Sequence, residues 1–239
     1  MAEHSASPRY FDPASLSALE EPVVRYLNHA LSPGAVVASG RRLSMVGRIK
    51  VGRWLAFDAE QEMARIGHAF TWTARAGLGP IRPLRVVDRY RPGAGSTEGR
   101  LFGRLRFMHA DDRDTARSAA GRAAVESIMD PASLLPDNGV IWQAEHDDLI
   151  VARFDVPPER AEVRLRINPT GAPQGVRIMR WGNVGRDGFG YIPFGGDIRA
   201  ERQFGDVVLP SELTIGWWYG TARYRPFFMA TIHDARGCA

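Results

Sequence analysis

Cysteine, lysine and long apolar runs are what this sequence has least of. Its single cysteine, Cys238, is the penultimate residue, so no disulfide can form within the chain. No segment has the roughly 18 consecutive apolar residues of a membrane span, and the first residues lack the basic start and apolar run of a signal peptide. We therefore expect no membrane span, no oxidising compartment and a cytoplasmic location.

Lysine is so scarce that nearly all the positive charge is guanidinium: only Lys50 among the 31 basic residues is a lysine. The arginines alternate with apolar residues, as in Arg85, Arg89 and Arg91, and acidic residues are mixed in among them. Alternation places them on the outer faces of strands, whereas a nucleic-acid surface has clustered positive charge. We predict no nucleic-acid partner, despite a net charge of +4.

Catalytic and metal-binding motifs are also missing from the sequence. The six histidines show neither H-x-H nor H-E-x-x-H spacing, and there is no G-x-S-x-G nucleophile motif. The glycine-rich passage 182–196 lacks the patterns of phosphate-binding loops, and we interpret it as a flap or hairpin over one end of the sheet. We expect no metal and no cofactor.

Short segments with a two-residue apolar period make up most of what is present. Phe70 and Trp72, for example, share one face, while Thr71 and Thr73 share the other. With 239 residues and 44% hydrophobic content, the chain can bury a large core. About ten strands at the spacing of a meander predict a mainly β (α+β) fold, a large curved antiparallel sheet or incomplete barrel wrapped on two helical segments.

Two helical segments interrupt the strands. Asp12 and Pro13 supply an N-cap and a first-turn proline for a helix over 13–31, with a break or kink at Pro22. The alanine-rich stretch 114–130 follows a run of aspartates, which stabilise a helix start, and is predicted to be the interior helix. The predicted organisation is a flexible arm over 1–11 and a single domain over 12–239, with strands over 41–109 and 139–234.

Two sets of polar side chains fall in predicted apolar surroundings. Arg122 and Glu126 lie four apart on one helix face. They form either an exposed ion pair worth ~0.3 to 0.5 kcal/mol or, if this face points into the sheet, a buried anchor for a ligand's carboxylate or hydroxyl. Asp88 falls on the apolar face of its strand. There it acts as a general acid, caps a loop turn or pairs with an arginine of the helix, Arg122 being the obvious candidate.

Aromatic residues are the remaining candidates for ligand contact. Most large side chains on the apolar face of a strand are core packing. If a cavity exists, we expect five of them at its wall or mouth, because tryptophan and tyrosine join apolar area to a polar tip. These are Trp72, Tyr90, Trp142, Trp181 and Tyr191.

A series of short motifs resembles an uncharacterised bacterial family, a domain of unknown function. The motifs, in chain order, are Trp72-Thr73-Ala74, Asp88-Arg89-Tyr90 followed by Gly93 and Gly95, Arg122 with Glu126, the segment from Pro131 to Pro136, Val140-Ile141-Trp142, and Ile192-Pro193. The resemblance spans most of the chain. It implies a fold more than a function, namely a curved sheet wrapped on helices as in bacterial lipoprotein carriers.

Three functional hypotheses follow from these patterns. The first is a binder that sequesters a lipid-like or other hydrophobic small molecule in a cavity between the sheet and the helices. The second is a cofactor-independent cyclase, isomerase or hydratase that acts on an apolar substrate with Asp88, Glu126 or His109 as acid or base. The third is a structural or interaction domain with a filled core. We predict the binder.

Overall fold

One antiparallel sheet of 13 strands forms most of the computed structural model, which describes residues 8–185 and 188–238. The strands are β1 (Gly40–Val51), β2 (Arg53–Ala64), β3 (Phe70–Leu78), β4 (Ile81–Arg91), β5 (Ala94–Leu101), β6 (Leu105–Ala110), β7 (Ile141–His146), β8 (Leu149–Val156), β9 (Glu159–Ile167), β10 (Pro173–Gly182), β11 (Gly190–Phe204), β12 (Val207–Trp217) and β13 (Arg225–Cys238). Their order across the sheet is β6-β5-β4-β3-β2-β1-β13-β12-β11-β10-β9-β8-β7.

Two α-helices and several short 3-10 segments accompany the sheet. The helices are α1 (Glu21–Ala30) and α2 (Arg113–Glu126). The 3-10 segments are Pro13–Leu16, Ile66–His68, Ser127–Met129, Pro131–Leu134 and Pro136–Asn138. The mainly β fold predicted from the sequence is confirmed, although the described residues form thirteen strands instead of about ten.

The path of the chain explains why α2 is interior. Strands β1 to β6 run in sequence order to one edge of the sheet, and β7 to β13 return from the other edge until β13 pairs with β1. The segment between β6 and β7 must therefore join the two outer edges. Helix α2 lies in this connection and contacts β4 and β5 on one side and β8, β9 and β10 on the other. It thus crosses the concave face of the curled sheet.

Contacts between distant hairpins hold the sheet in its curled form. The Tyr90 hydroxyl and the Gly93 N–H both donate to the carbonyl oxygen of Pro157, at 2.6 and 2.8 Å. The His68 ring lies against Phe154, with ring centroids 4.7 Å apart. These contacts join the β2–β3 and β4–β5 connections to β8 and its turn, so the sheet approaches an incomplete barrel, as predicted.

Small residues let α2 lie close to the sheet. Ala120, Ala123 and Ala124 are buried, and a Cβ placed on Gly95 of β5 would lie only 2.7 Å from the Cβ of Ala119. A larger residue at 95 would push the helix away from β5. The alanine-rich composition of the helix therefore reflects close packing against two parts of the sheet.

The first predicted helix, 13–31, is divided in the structure. Asp12 caps the 3-10 segment Pro13–Leu16 by accepting a hydrogen bond from Ala14 N at 2.9 Å, and α1 starts only at Glu21. Pro22 lies in the first turn of α1, where its missing N–H leaves no hydrogen bond unmade. The predicted kink is therefore a helix start.

The predicted flexible arm differs from the structure over its described part. Tyr10 forms a β-bridge with Val36, and Phe11 is buried in the core. A polar flanking sequence concealed this anchoring, because a single buried aromatic has no periodic pattern. Residues 1–7 of the arm lie outside the described residues.

The glycine-rich passage was predicted to be a flap or a hairpin, and the structure has the hairpin: β10 and β11 pair antiparallel, with Gly182 opposite Gly190. Strand β11 begins at Gly190, and Gly195 and Gly196 lie within it. A Cβ on these glycines would lie 1.9 Å from the Val176 carbonyl oxygen and 1.7 Å from that of Thr214. The glycines therefore permit close approach of β10 and β12 to β11.

Candidate functional site

A partly enclosed cavity of about 170 Å³ lies between α2 and the concave face of the sheet. Most of its wall is apolar. The lining residues come from β1, β13 and strands on both sides of this pair, from α2 and from the 3-10 segment that follows α2. The apolar lining residues are Leu43, Met45, Ile49, Trp72, Val125, Ile128, Met129, Val176, Phe194, Leu213, Ile215, Phe227, Phe228 and Ile232. The polar ones are Gln61, Asp88, Arg122, Glu126 and Arg180.

A hydrogen-bonded network joins four of these polar side chains. Arg122 donates from Nη1 to Asp88 Oδ2 at 2.6 Å and from Nε to Glu126 Oε1 at 2.7 Å. Gln61 Nε2 donates to the second Glu126 oxygen at 2.8 Å. The network thus joins β2, β4 and α2 across the cavity wall. Of the sequence alternatives, Asp88 pairs with Arg122, and the Arg122–Glu126 pair faces into the sheet.

Arg122 also lies over two aromatic rings. Its guanidinium carbon is 4.8 Å from the ring centroid of Phe70 and 4.9 Å from that of Trp72. Burial alone would lower the pKa of Arg122, but the carboxylates of Glu126 and Asp88 raise it overall. Arg122 is therefore a fixed positive charge that already has its partners.

Two buried polar atoms at the cavity lack partners. Trp72 Nε1 and Asp88 Oδ1 have no hydrogen-bond partner among the described residues. The two residues lie directly opposite each other on β3 and β4, which places their side chains within about 5.5 Å at the Cβ atoms. One N–H donor and one carboxylate acceptor are thus left side by side. Buried polar groups without partners are uncommon, so these two atoms are candidates for ligand contact.

Arg180 is the second guanidinium at the cavity. Its Nε donates to the Ser118 carbonyl oxygen at 3.0 Å, and its guanidinium carbon lies 4.4 Å from the Phe194 ring centroid. A Cβ on Gly121 would lie 2.7 Å from Arg180 Cγ, so this glycine lets the side chain cross the helix. Burial and the positive charge of Arg122 lower the pKa of Arg180 to about 10. It therefore stays charged at neutral pH.

Four of the nine predicted site residues meet at this cavity: Trp72, Asp88, Arg122 and Glu126. Two of the others are placed elsewhere in the core. Tyr90 is buried and contacts the β8–β9 turn through Pro157. Trp142 packs on Tyr26 of α1 and donates to the Leu134 carbonyl oxygen at 2.8 Å. Neither lines the cavity.

Trp181 and Tyr191 form a separate cluster near the start of α2. The Arg117 guanidinium carbon lies 3.5 Å from the Trp181 ring centroid, and Arg117 Nε donates to Glu159 at 2.5 Å. The Tyr191 hydroxyl donates to the same carboxylate at 2.5 Å. These groups bind one another, so the cluster ties α2 to the sheet instead of lining the cavity.

His109 is also away from the cavity. It lies on the edge strand β6, where its Nε2 is 3.4 Å from the Asp111 carboxylate, and its side chain is 41% exposed. It shares one face of β6 with Leu105 and Phe107, but this face is exposed because β6 is the last strand of the sheet. The enzyme hypothesis therefore retains only Asp88 and Glu126 at the cavity.

Arg180 and Gln61 line the cavity but were not predicted. The sequence nevertheless contains a signal for both, namely the two-residue apolar period of their strands. Arg180 shares its strand face with Val176 and Ile178, and Gln61 shares its face with the buried Phe57. The same two-residue period that identified Asp88 therefore identifies these residues as well.

Of the described helices, none is long and apolar enough to cross a membrane. No curated protein matches the chain. A domain described as that of an outer membrane lipoprotein-sorting protein from Vibrio parahaemolyticus is similar in structure, with 8% identity and a TM-score of 0.45, over 83% of this chain and 85% of that one. A LolA superfamily protein from Nitrosomonas europaea has 7% identity and a TM-score of 0.45, over 91% and 92% of the two chains.

A family model gives the clearest result. It matches residues 9–230, which is most of the chain, and its description is that of a family without a known function. The match agrees with the resemblance seen in the sequence motifs. The chain therefore belongs to the Family of unknown function (DUF6544).

Proposed function

We propose that the protein binds a hydrophobic small molecule, lipid-like in character, in the cavity between α2 and the concave face of the sheet. The observation that carries this proposal is a cavity of about 170 Å³ with a mostly apolar wall. An apolar cavity of about 150 Å³ is enough to bind benzene in a protein core. The volume therefore suits a small apolar molecule or a short segment of an acyl chain.

The polar side chains at the cavity favour a ligand with one uncharged hydroxyl group. A hydroxyl can accept a hydrogen bond from Trp72 Nε1 and donate one to Asp88 Oδ1, the two buried atoms without partners. A carboxylate cannot donate to Asp88, and an ammonium cannot accept from Trp72. The two arginines and two carboxylates at the cavity sum to zero charge, so a charged head group would bring an uncompensated charge into a buried site.

The first measurement is native mass spectrometry of the purified chain, followed by denaturing extraction and identification of any co-purifying compound. Binding of 1-octanol, octanoate and octylamine is then compared, since these differ only in their head groups. We expect 1-octanol to bind most tightly. Tighter binding of octanoate would show the head-group assignment to be wrong. An empty protein that binds none of the three would refute the proposal and favour the filled-core scaffold.

A matched pair of tryptophan variants tests the contact itself. Trp72→Phe keeps a ring but removes the Nε1 donor, and should weaken 1-octanol binding roughly fivefold, as expected for the loss of about 1 kcal/mol. Trp54→Phe on β2 makes the same change away from the cavity lining and should leave binding unchanged. Equal effects of the two variants would contradict the proposed contact.

The enzyme alternative is tested with the same compounds. Asp88 remains a candidate acid or base because one of its oxygens has no partner among the described residues. Conversion of a bound compound by the wild-type protein, with loss of turnover in Asp88→Asn and retained folding, would favour the enzyme. Binding without turnover favours the carrier. A cytoplasmic location stays a prediction, which fractionation of cells that express the full chain tests.

A further inference from the structure

Two neighbouring hairpin tips carry exposed apolar side chains. We call Leu78, Ile81, Phe102 and Leu105 the tip patch; their exposed fractions are 50%, 67%, 72% and 65%. Leu78 pairs with Ile81 across the β3–β4 turn. Phe102 N donates to the Pro83 carbonyl oxygen at 2.7 Å, which joins the β5–β6 tip to the start of β4. The four side chains therefore belong to one continuous end of the sheet.

Phe102 has an unfavourable backbone conformation for its type. Its φ is 50°, and that of the following Gly103 is 70°. They are the two central residues of a β-turn that the hydrogen bond from Arg104 N to the Leu101 carbonyl oxygen closes. Positive φ at both central positions favours asparagine, aspartate or glycine, and a bulky residue there is strained. The Phe102 side chain is mostly exposed, so packing within the chain does not offset this strain. A strained, exposed aromatic at a turn tip indicates a contact outside the chain.

The charge around the tip patch is mainly positive. Residues 78–83 and 101–106 include three arginines and no acidic residue. Arg82 is neutralised by Asp58, whereas Arg104 has no carboxylate partner among the described residues. The adjacent β1–β2 tip adds Lys50 and Arg53. Apolar side chains at the centre of a basic rim match the acyl boundary and phosphates of an anionic membrane.

We propose that the tip patch docks the protein on the surface of an anionic membrane, with Phe102 and Ile81 inserted at the acyl boundary and Arg104 on lipid phosphate. The shape of the patch favours this occupant over a protein. Its apolar groups are only four side chains at two neighbouring hairpin tips, which a fluid surface can surround, whereas a protein interface requires a broad matched surface. This surface is distinct from the cavity and goes beyond the proposed binding function.

The test is co-sedimentation of the full chain with vesicles of phosphatidylcholine alone or mixed with phosphatidylglycerol. We expect binding to the mixed vesicles, weakened by added salt because exposed charges are screened. Phe102→Asn removes the ring and creates an Asn-Gly turn, which suits positive φ. It should raise the melting temperature and weaken vesicle binding by at least about tenfold, the loss expected for one buried phenylalanine. A structural role alone would not move these two readouts in opposite directions.

Two further variants sharpen the result. Ile141→Asn replaces an equally exposed residue, 62%, on β7 at the other edge of the sheet, and should leave vesicle binding unchanged. Arg104→Gln should weaken binding to mixed vesicles and reduce its dependence on salt. Vesicle binding does not depend on 1-octanol binding, so failure of one proposal is distinguishable from failure of the other.

Three outcomes would overturn the docking proposal. The first is vesicle binding by Phe102→Asn equal to that of the wild type. The second is equal binding to neutral and anionic vesicles. The third is a dimer in solution that Phe102→Asn dissociates, which would assign the tip patch and its neighbouring edge strand β6 to a second copy of the chain.

Discussion

Removal of Arg122 should destabilise the fold more than the loss of any single surface ion pair would. Arg122→Met keeps most of the aliphatic stem but leaves the carboxylates of Asp88 and Glu126 without their cation. Arg122 has a side-chain exposure of 15%, and its partners are 22% and 23% exposed. Breaking a buried pair costs about 3 to 5 kcal/mol, and the partial exposure favours the lower value. We expect a loss of about 3 kcal/mol, which lowers the melting temperature by roughly 6 to 12 °C for a chain of this size.

The assay is urea unfolding followed by tryptophan fluorescence, with thermal unfolding by circular dichroism as a second measure. A triple variant, Arg122→Met with Asp88→Asn and Glu126→Gln, removes all three charges together. It should recover most of the lost stability, because uncharged groups cost less to bury. A single variant within about 1 kcal/mol of the wild type would refute the reasoning, as would a triple variant no more stable than the single one.

Two further predictions concern pH and close packing. Burial lowers the pKa of His68 from 6.5 to about 4. Between these two pH values the unfolded chain binds more protons than the folded chain, so the free energy of unfolding falls as the pH decreases. We expect a loss of about 2 kcal/mol, because the ring is partly exposed. His68→Asn should remove this part of the slope in urea unfolding measured above and below that window. Gly47→Ala should prevent folding, as judged by circular dichroism, because its Cβ would lie 2.0 Å from the Met229 carbonyl oxygen. Gly121→Ala is the control and should stay folded, because its Cβ would come too close only to the flexible Arg180 side chain, with Cγ at 2.7 Å.

Local sequence patterns predicted four of the residues that line the cavity but missed Arg180. The two-residue period placed Trp72 and Asp88 on one face, and the four-residue spacing placed Arg122 and Glu126 on another. Their meeting depends on α2 crossing the concave face, which the resemblance to helix-wrapped sheets implied. Arg180 has the same kind of signal as Asp88 and was overlooked, although the period of β10 places it on the buried face.

The aromatic residues show what such patterns do not predict. Trp72 and Trp142 are both tryptophans on short strands, and both are buried. Only Trp72 lines the cavity, because Trp142 is covered by α1 through Tyr26. His109 shows the same limit at the sheet edge. A period of two assigns a side chain to a face, but it does not say which element, if any, covers that face.

The sequence by itself determined the strands, the capped alanine-rich helix and the polar residues on apolar faces, because these follow from local periodicity and from the conformational preferences of single residues. Tertiary structure alone decided that β13 pairs with β1, that α2 bridges the two edges, and that β12 and β13 complete the cavity wall. These features depend on strand order and sheet curvature. Both arise from contacts between residues far apart in the chain, which no local pattern encodes.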